Sequence, residues 1–209
     1  MSSGPRNDTS PVRDKGGPVS RRIRSRFFPD LIVASPARID YPLLVSRGYQ
    51  VALVDIDNTL ACHGSRVCDQ EAENIIACIQ EAGLTPLVAS NAPAERARTF
   101  ADSLGVSFIA KAGKPKTREI LRALDQKGYD ACRTLMIGDQ LLTDVWSARR
   151  AGIAAILTDR RSPKEIWTVR LKRPLEWILI RLGGKTFWQS LRDDYSRLPA
   201  CGGSPHDRL

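Results

Sequence analysis

The sequence predicts an α/β protein built on a doubly wound, mostly parallel sheet. Short apolar runs that fit buried strands alternate with longer segments whose apolar residues recur at helical spacing. This alternation is typical of parallel strands joined by helices that cover both faces of the sheet. The chain has 209 residues, of which 42% are hydrophobic and 26% charged, so it is long enough for one globular domain with flanking segments.

Five apolar runs are the predicted strands, and amphipathic segments lie between them. The first helix lies in "DQEAENIIACIQEAG", where Ile75, Ile76 and Ile79 share one face and Gly83 is the expected stop. The other helices lie in "PAERARTFADSLG", "PKTREILRALDQKG" and "LLTDVWSARRAG". The predicted strands cover residues 50–55, 85–90, 106–110, 134–138 and 153–157.

The net charge of +9 is concentrated at the two ends of the chain. Residues 1–26 carry a net +5 and are rich in Ser, Gly, Pro and Arg without periodicity, so we expect a basic disordered tail. Residues 27–168 are the predicted central domain, and residues 169–209 a basic, amphipathic C-terminal extension. Basic ends favour an anionic partner, such as phospholipid, nucleic acid or an acidic protein, or they are simply solvated.

Polar residues follow four of the predicted strands at the points where these strands end. Because the carboxyl ends of parallel strands meet at one edge, ligands bind there in open α/β sheets. This edge gathers several carboxylates with one or two ammonium groups, a cluster that a divalent cation and a phosphate would together neutralise. The residues at this edge, in strand order, are Asp55, Asp57 and Thr59; Ser90 and Asn91; Lys111 and Lys114; Asp139 and Asp144.

These residues stand in four motifs, "DIDNT", "SNA", "KAGKP" and "GDQLLTD", which together resemble the haloacid dehalogenase (HAD) superfamily. More narrowly, "FFPDLIVAS", "GDQLLTDVWSARRAG" and "VRLKRPLEWILIRL" resemble its YqeG-like, type IIIA branch. That branch includes phosphatidylglycerophosphate phosphatases. The resemblance covers about residues 27–185 and implies an HAD-like, Rossmannoid fold for the central domain. Two departures from the branch are Ala92-Pro93 after the second motif and "ACHGSRVC" after the first.

The resemblance implies a role for each acidic residue of the first and last motifs. Asp55 would be the nucleophile that forms an aspartyl-phosphate, and Asp57 the general acid and then the general base. Magnesium (Mg²⁺) would bind through Asp55, the carbonyl of Asp57, and Asp139, since this ion prefers oxygen ligands. Asp144 would orient the motif lysine or the surrounding waters.

The remaining motif residues are expected to contact the phosphate. Ser90 would donate a hydrogen bond to a phosphoryl oxygen, and Lys114 would offset charge on the group in transfer. Lys111 is the competing candidate for the lysine role, and Pro115 beside Lys114 favours the latter. Lys111 therefore stays a candidate substrate-binding residue. Thr59 and Asn91 are the other candidates for binding substrate.

Each motif also has a purely structural interpretation. Asp55-x-Asp57 fits a turn or a helix cap, and Ser90-Asn91 fits an N-cap for the helix that starts near Ala94. Asp144 also fits a helix-surface acid that pairs with Arg149 or Arg150. A zinc site at Cys62, His63 and Cys68 is disfavoured, because a closed site needs four ligands at fitting spacing.

The spacing between motifs predicts a capless enzyme with an open site. The gaps after the first and second motifs each hold only a loop, one helix and one strand. An open site accepts a phosphate presented by a macromolecule or at a membrane surface. Residues 169–191 mix apolar and basic side chains and would either lie in the headgroup region of an anionic membrane or pack on the domain.

The expected function is that of an Mg²⁺-dependent phosphomonoesterase, with phosphatidylglycerophosphate as the leading substrate by resemblance. The alternatives are a phosphatase for a soluble metabolite or phosphoprotein, and a ribosome- or RNA-associated binding protein that uses the basic ends. The odd number of cysteines and the lack of a secretory signal predict a cytoplasmic protein. Peripheral contact with the inner face of the membrane is the accompanying expectation, and nucleic acid is the disfavoured partner.

Overall fold

The computed structural model describes residues 16–65, 67–109, 111–162 and 173–201. Its centre is a sheet of six parallel strands in the order β1-β6-β5-β2-β3-β4. The parallel α/β architecture expected from the sequence is confirmed. The strands are β1 Leu31–Val33, β2 Val51–Val54, β3 Thr85–Ala89, β4 Ser107–Ile109, β5 Thr134–Gly138 and β6 Ala154–Thr158.

Helices connect the strands and flank the sheet. A π-helical turn, Leu141–Val145, precedes α6. Asp69 caps α3 by accepting a hydrogen bond from the backbone N–H of Ala72. The helices are α1 Pro18–Phe27, α2 Tyr41–Ser46, α3 Gln70–Glu81, α4 Ala94–Ser103, α5 Arg118–Gln126, α6 Trp146–Ala151, α7 Arg173–Gly183 and α8 Lys185–Gln189.

The sheet is buried on both faces, as its apolar strands require. Side chains alternate between the two faces along a strand, so Ala52 and Val54 enter one apolar cluster while Val51 and Leu53 enter the other. The periodic face of α3, which includes Ile75 and Ile79, packs in the first cluster. This two-sided core fixes the carboxyl ends of β2, β3 and β5 at one edge.

The structure differs from the sequence expectation at the N-terminal side of the domain. Residues 18–26 belong to α1 rather than to a disordered tail; residues 1–15 lie outside the described part. Tertiary packing explains the helix, because Phe27 contacts the Trp146 ring at 5.2 Å and Ser20 donates a hydrogen bond to the Leu182 carbonyl. The three-residue edge strand β1 also was not among the predicted strands.

The C-terminal part both packs on the domain and exposes apolar surface. Leu191 and Leu198 are buried, and the backbone N–H of Ile32 donates to the carbonyl of Leu191. In α7, by contrast, Leu175, Trp177, Ile178 and Leu182 are 44–53% exposed. Within the described part of the chain, no helix is long and apolar enough to cross a membrane.

Candidate active site

A buried lysine lies at the centre of the carboxyl edge of the sheet. The Lys114 Nζ lies 2.6 Å from Asp55 Oδ1 and 2.5 Å from Asp144 Oδ1. All three residues are at least 95% buried. Burial works against the charge on Lys114, but the carboxylates of Asp144 and Asp55 outweigh it and raise the pKa of the ammonium group. This lysine therefore stays charged between the two acids.

The positions of Asp55 and Asp144 in the backbone bring their carboxylates together. Asp55 directly follows β2, and its N–H donates to the carbonyl of Ile137 in the neighbouring β5. Asp144 lies on the π-helical turn after β5. A Cβ at Gly138 would lie 2.4 Å from the Asp144 Cγ, so only glycine leaves room for this carboxylate. The Gly-Asp pair of the fourth motif thus has a steric basis.

Asn91 holds the lysine loop in place. Its Nδ2 donates to the Lys114 carbonyl at 2.7 Å, and its Oδ1 accepts from the Lys114 N–H at 2.8 Å. Ser90 is buried beside it, and its Oγ accepts from the Ala92 N–H. Lys111, in contrast, is exposed and lies outside this cluster. Of the two candidate lysines, the structure brings Lys114 into the site.

Asp139 is the acid of this group whose carboxylate accepts no hydrogen bond. Both of its carboxylate oxygens are buried and lack a hydrogen-bond partner. Arg173 lies at ion-pair distance, with its Nη2 3.5 Å from Asp139 Oδ2. Burial, followed by the charges of Asp144 and Asp55, raises the pKa of Asp139 to about 8. Burial likewise raises the pKa of Asp55 to about 7, although Lys114 acts in the opposite direction.

The donor set fits a divalent cation. Oxygen atoms of Asp55, Asp139 and Asp144 lie within 4.8 Å of one another. The buried carboxylate of Asp139 accepts no hydrogen bond, so a bound cation would stabilise its charge. Hard oxygen ligands of this kind suit Mg²⁺. Both oxygens of Asp144 are already occupied, by Lys114 and by the N–H of Gln140. Asp55 and Asp139 therefore carry the free ligand capacity.

Asp57 lies apart from this group and is held by Arg96 and His63. Arg96 binds both of its carboxylate oxygens, at 2.7 and 2.9 Å, and His63 Nδ1 lies 3.2 Å from Oδ1. Burial would raise the pKa of Asp57, but the hydrogen bonds from Arg96 and the Gly64 N–H dominate and lower it. The carboxylate of Asp57 is therefore ionised in this arrangement.

The structural interpretations of two motifs do not match the contacts. Arg149 pairs with Asp30, and Arg150 donates to the carbonyl of Pro115, so neither is the partner of Asp144. The N-cap position of α4 is Pro93, and no side chain caps this helix. Thr59 is buried at the site, and its Oγ1 lacks a hydrogen-bond partner.

Sequence reasoning missed four residues around the site. Arg96 lies on α4 and also donates to the carbonyl of Ser65, so it ties the loop after Asp57 to the helix. Arg173 is the first residue of α7 and pairs with Glu176. Glu176 in turn accepts a hydrogen bond from the Leu141 N–H, close to Asp139 in the chain. The fourth residue is His63, which the sequence indicates only as part of a disfavoured zinc site. The spacing of apolar residues along a helix does not indicate which of its charged residues will be partly buried at a site.

The family model for the haloacid dehalogenase-like hydrolases matches residues 24–152. The chain belongs to this family. A relative in Bacillus subtilis (strain 168), "Probable phosphatase YqeG", is 29% identical over 154 residues, which are 74% of this chain and 90% of that protein. The YqeG-like HAD resemblance of the motifs is thereby confirmed.

Solved structures also resemble this chain at low sequence identity. An uncharacterized protein from Listeria monocytogenes serotype 4b is 17% identical, with a TM-score of 0.45, over 63% of this chain and 98% of that one. An uncharacterized protein from Corynebacterium glutamicum ATCC 13032 is 19% identical, with a TM-score of 0.45, over 66% of this chain and 96% of that one.

Proposed function

We propose that this protein is a phosphatase that hydrolyses phosphate monoesters through a phosphoryl group carried on Asp55. The observation that carries the proposal is the buried Lys114, bonded to Asp55 and Asp144 beside Asp139, whose buried oxygens accept no hydrogen bond. A dianionic phosphate and a cation would complete this charge arrangement. Membership of a hydrolase family and the similarity to a probable phosphatase support the same activity.

Magnesium is the cation that these residues would hold. Asp55 and Asp139 would bind it through carboxylate oxygens, and the Asp57 carbonyl is the further ligand that the family resemblance implies. When bound, it would neutralise Asp55 and the incoming phosphate so that two anions approach each other. Orphaned, buried oxygens on Asp139 favour this assignment.

The first half of the reaction transfers the phosphoryl group to the protein. A carboxylate oxygen of Asp55 attacks phosphorus, an oxygen–phosphorus bond forms, and the bond to the ester oxygen breaks. The leaving alkoxide takes a proton from Asp57. Lys114 stabilises the charge on the phosphoryl oxygens, with Asp144 keeping the ammonium in position. Ser90 and Thr59 would donate hydrogen bonds to these oxygens.

The second half releases phosphate. Water attacks the phosphorus, its proton goes to Asp57, and the bond between Asp55 and phosphorus breaks, which restores both carboxyl groups.

The protonation state of Asp57 must change during the reaction. Proton donation by Asp57 requires its protonated form, whereas the pair with Arg96 favours the ionised form. We therefore infer that the substrate phosphate draws Arg96 away from Asp57 before transfer. A guanidinium binds phosphate as well as it binds carboxylate.

The proposed substrate is phosphatidylglycerophosphate, presented at the surface of an anionic membrane. The chain between β2 and β3 forms α3 and a loop, and the chain between β3 and β4 forms α4. This fits the capless, open site expected from the motif spacing, which would accept a phosphate presented at a membrane. The half-exposed Leu175 and Trp177 on α7 would contact lipid, with Arg181, which lies over the Trp177 ring, at the headgroups. The proposal includes a cytoplasmic location, with peripheral contact at the inner face of the membrane.

A substrate panel tests this proposal. Phosphate release is measured from phosphatidylglycerophosphate in mixed micelles and from p-nitrophenyl phosphate, with Mg²⁺ and with chelator, for the wild type, Asp55→Asn and the surface control Asp125→Asn. Magnesium-dependent turnover of the lipid that only Asp55→Asn abolishes is expected. Turnover of soluble esters alone would refute the lipid substrate. Folded protein without any turnover, together with salt-dependent filter binding of RNA, would favour a binding protein instead.

A further inference from the structure

A cavity lies at the opposite edge of the sheet from the acids. Its volume is about 780 Å³, and it lies between α1, α6 and the segment after α8. Asp30, one of its lining residues, directly precedes β1, so the cavity opens at the amino edge of the parallel sheet. Five arginines line what we call the basic cleft: Arg21, Arg22, Arg24, Arg149 and Arg197.

The floor of the basic cleft is apolar and buried. Phe28, Leu191 and Leu198 line it and are at least 97% buried. Phe187 stands between two of the arginines, with the guanidinium of Arg24 at 4.0 Å and that of Arg197 at 4.8 Å from its ring centroid. Cation–π contacts of this kind hold both guanidinium groups in place. The cleft therefore presents oriented cations over an apolar base.

The acids around the cleft compensate only part of this charge. Asp30 pairs with Arg149, and Asp194, just outside the cleft, pairs with Arg197. Arg24 donates to the carbonyl of Gly183. Within the described part of the chain, Arg21 and Arg22 form no ion pair with an acid, and both are exposed at the rim. The charges of Arg21 and Arg22 are therefore not offset by acids of the described residues, at the rim of a cleft where other guanidinium groups converge.

We propose that the basic cleft binds a ligand that carries two or more phosphate groups. A guanidinium offers a planar pair of donors that matches two phosphate oxygens, and several of them together favour more than one phosphate. The volume of the cleft suits a small molecule or a phospholipid headgroup. This site is distinct from the catalytic edge and does not depend on the reaction proposed there.

The test measures binding of two probes in the presence of chelator. Tripolyphosphate represents a soluble ligand, and vesicles of phosphatidylcholine with cardiolipin represent a headgroup. Binding is measured for the full chain, for Arg21→Gln/Arg22→Gln, and for the control Arg118→Gln/Arg122→Gln, which removes the same charge from exposed positions of α5. All three should unfold at the same temperature, since the four side chains are exposed.

The cleft variant is expected to bind at least about tenfold more weakly than the wild type, and the control less than about twofold more weakly. Loss with tripolyphosphate alone assigns a soluble ligand, and loss with vesicles alone assigns a lipid headgroup. An equal loss in both variants would overturn the proposal, because it would reflect net charge. Failure of the wild type to bind either probe would overturn it as well.

Discussion

Asp139→Asn should stabilise the protein in the absence of Mg²⁺, because Asp139 is a buried acid without a hydrogen-bond partner. Its pKa is raised from 3.8 to about 8 by burial and by two neighbouring acids. In the unfolded chain the carboxyl group ionises near its ordinary pKa, so at about pH 7 only the folded state must keep the proton. Each unit of difference in pKa between the folded and unfolded states corresponds to about 1.4 kcal/mol. The raised pKa of Asp139 therefore lowers the free energy of unfolding by roughly 4 kcal/mol at about pH 7.

The sign of the pH dependence follows from this raised pKa. The contribution of Asp139 to stability falls as the pH rises from about 4 to about 8, since the unfolded state loses its proton first. An asparagine cannot ionise, so Asp139→Asn should melt about 8 °C or more above the wild type near pH 7, with little difference near pH 4. Added Mg²⁺ should raise the melting temperature of the wild type and have little effect on the variant.

Scanning calorimetry at the two pH values, with chelator and with Mg²⁺, measures both effects. The control is Asp125→Asn, which removes an exposed acid from α5. That variant should follow the wild type throughout. The reasoning is refuted if Asp139→Asn melts at the wild-type temperature near pH 7, or if Mg²⁺ stabilises both proteins equally.

Three other substitutions test the contacts around the site. Lys114→Gln leaves two buried carboxylates unpaired, so denaturant titration should show a loss of about 3–5 kcal/mol, and an unchanged midpoint would contradict the pairing. Arg96→Lys removes a bidentate pair and should lower kcat about tenfold in the ester assay, unlike Arg98→Lys on the same helix; equal effects would count against a specific role. Arg173→Gln removes a cation 3.5 Å from Asp139, and calorimetric titration should show about threefold tighter Mg²⁺ binding rather than weaker binding.

The strands that bury apolar residues on both faces could be predicted from the sequence. Runs such as Val51–Val54 have no polar alternation, which is the pattern of a buried parallel strand. The short strand β1 could not, because three residues carry too little pattern and its burial depends on pairing with β6. Helix α1 was missed for a similar reason, since its polar composition suggests disorder and contacts with α7 determine its structure.

The candidate site also contains residues that could be predicted from the sequence and residues that could not. The acids and Lys114 follow strand ends, and the topology of a parallel sheet brings strand ends together, so they could be predicted from their spacing. Arg96 and Arg173 lie on helices, where a charged residue ordinarily indicates a solvated face. Only the tertiary structure shows that they face Asp57 and Asp139. The ion pair with Arg96 also shows why motif spacing alone does not give the protonation state of Asp57.

The most direct test of the account looks for the covalent intermediate. The wild type is mixed with a phosphate monoester and Mg²⁺, quenched in acid within the first turnover, digested and examined by mass spectrometry. We expect one phosphoryl group on the peptide that contains Asp55, and none in Asp55→Asn. Turnover at the normal rate by the folded Asp55→Asn variant, or a phosphoryl group on another residue, would contradict the account.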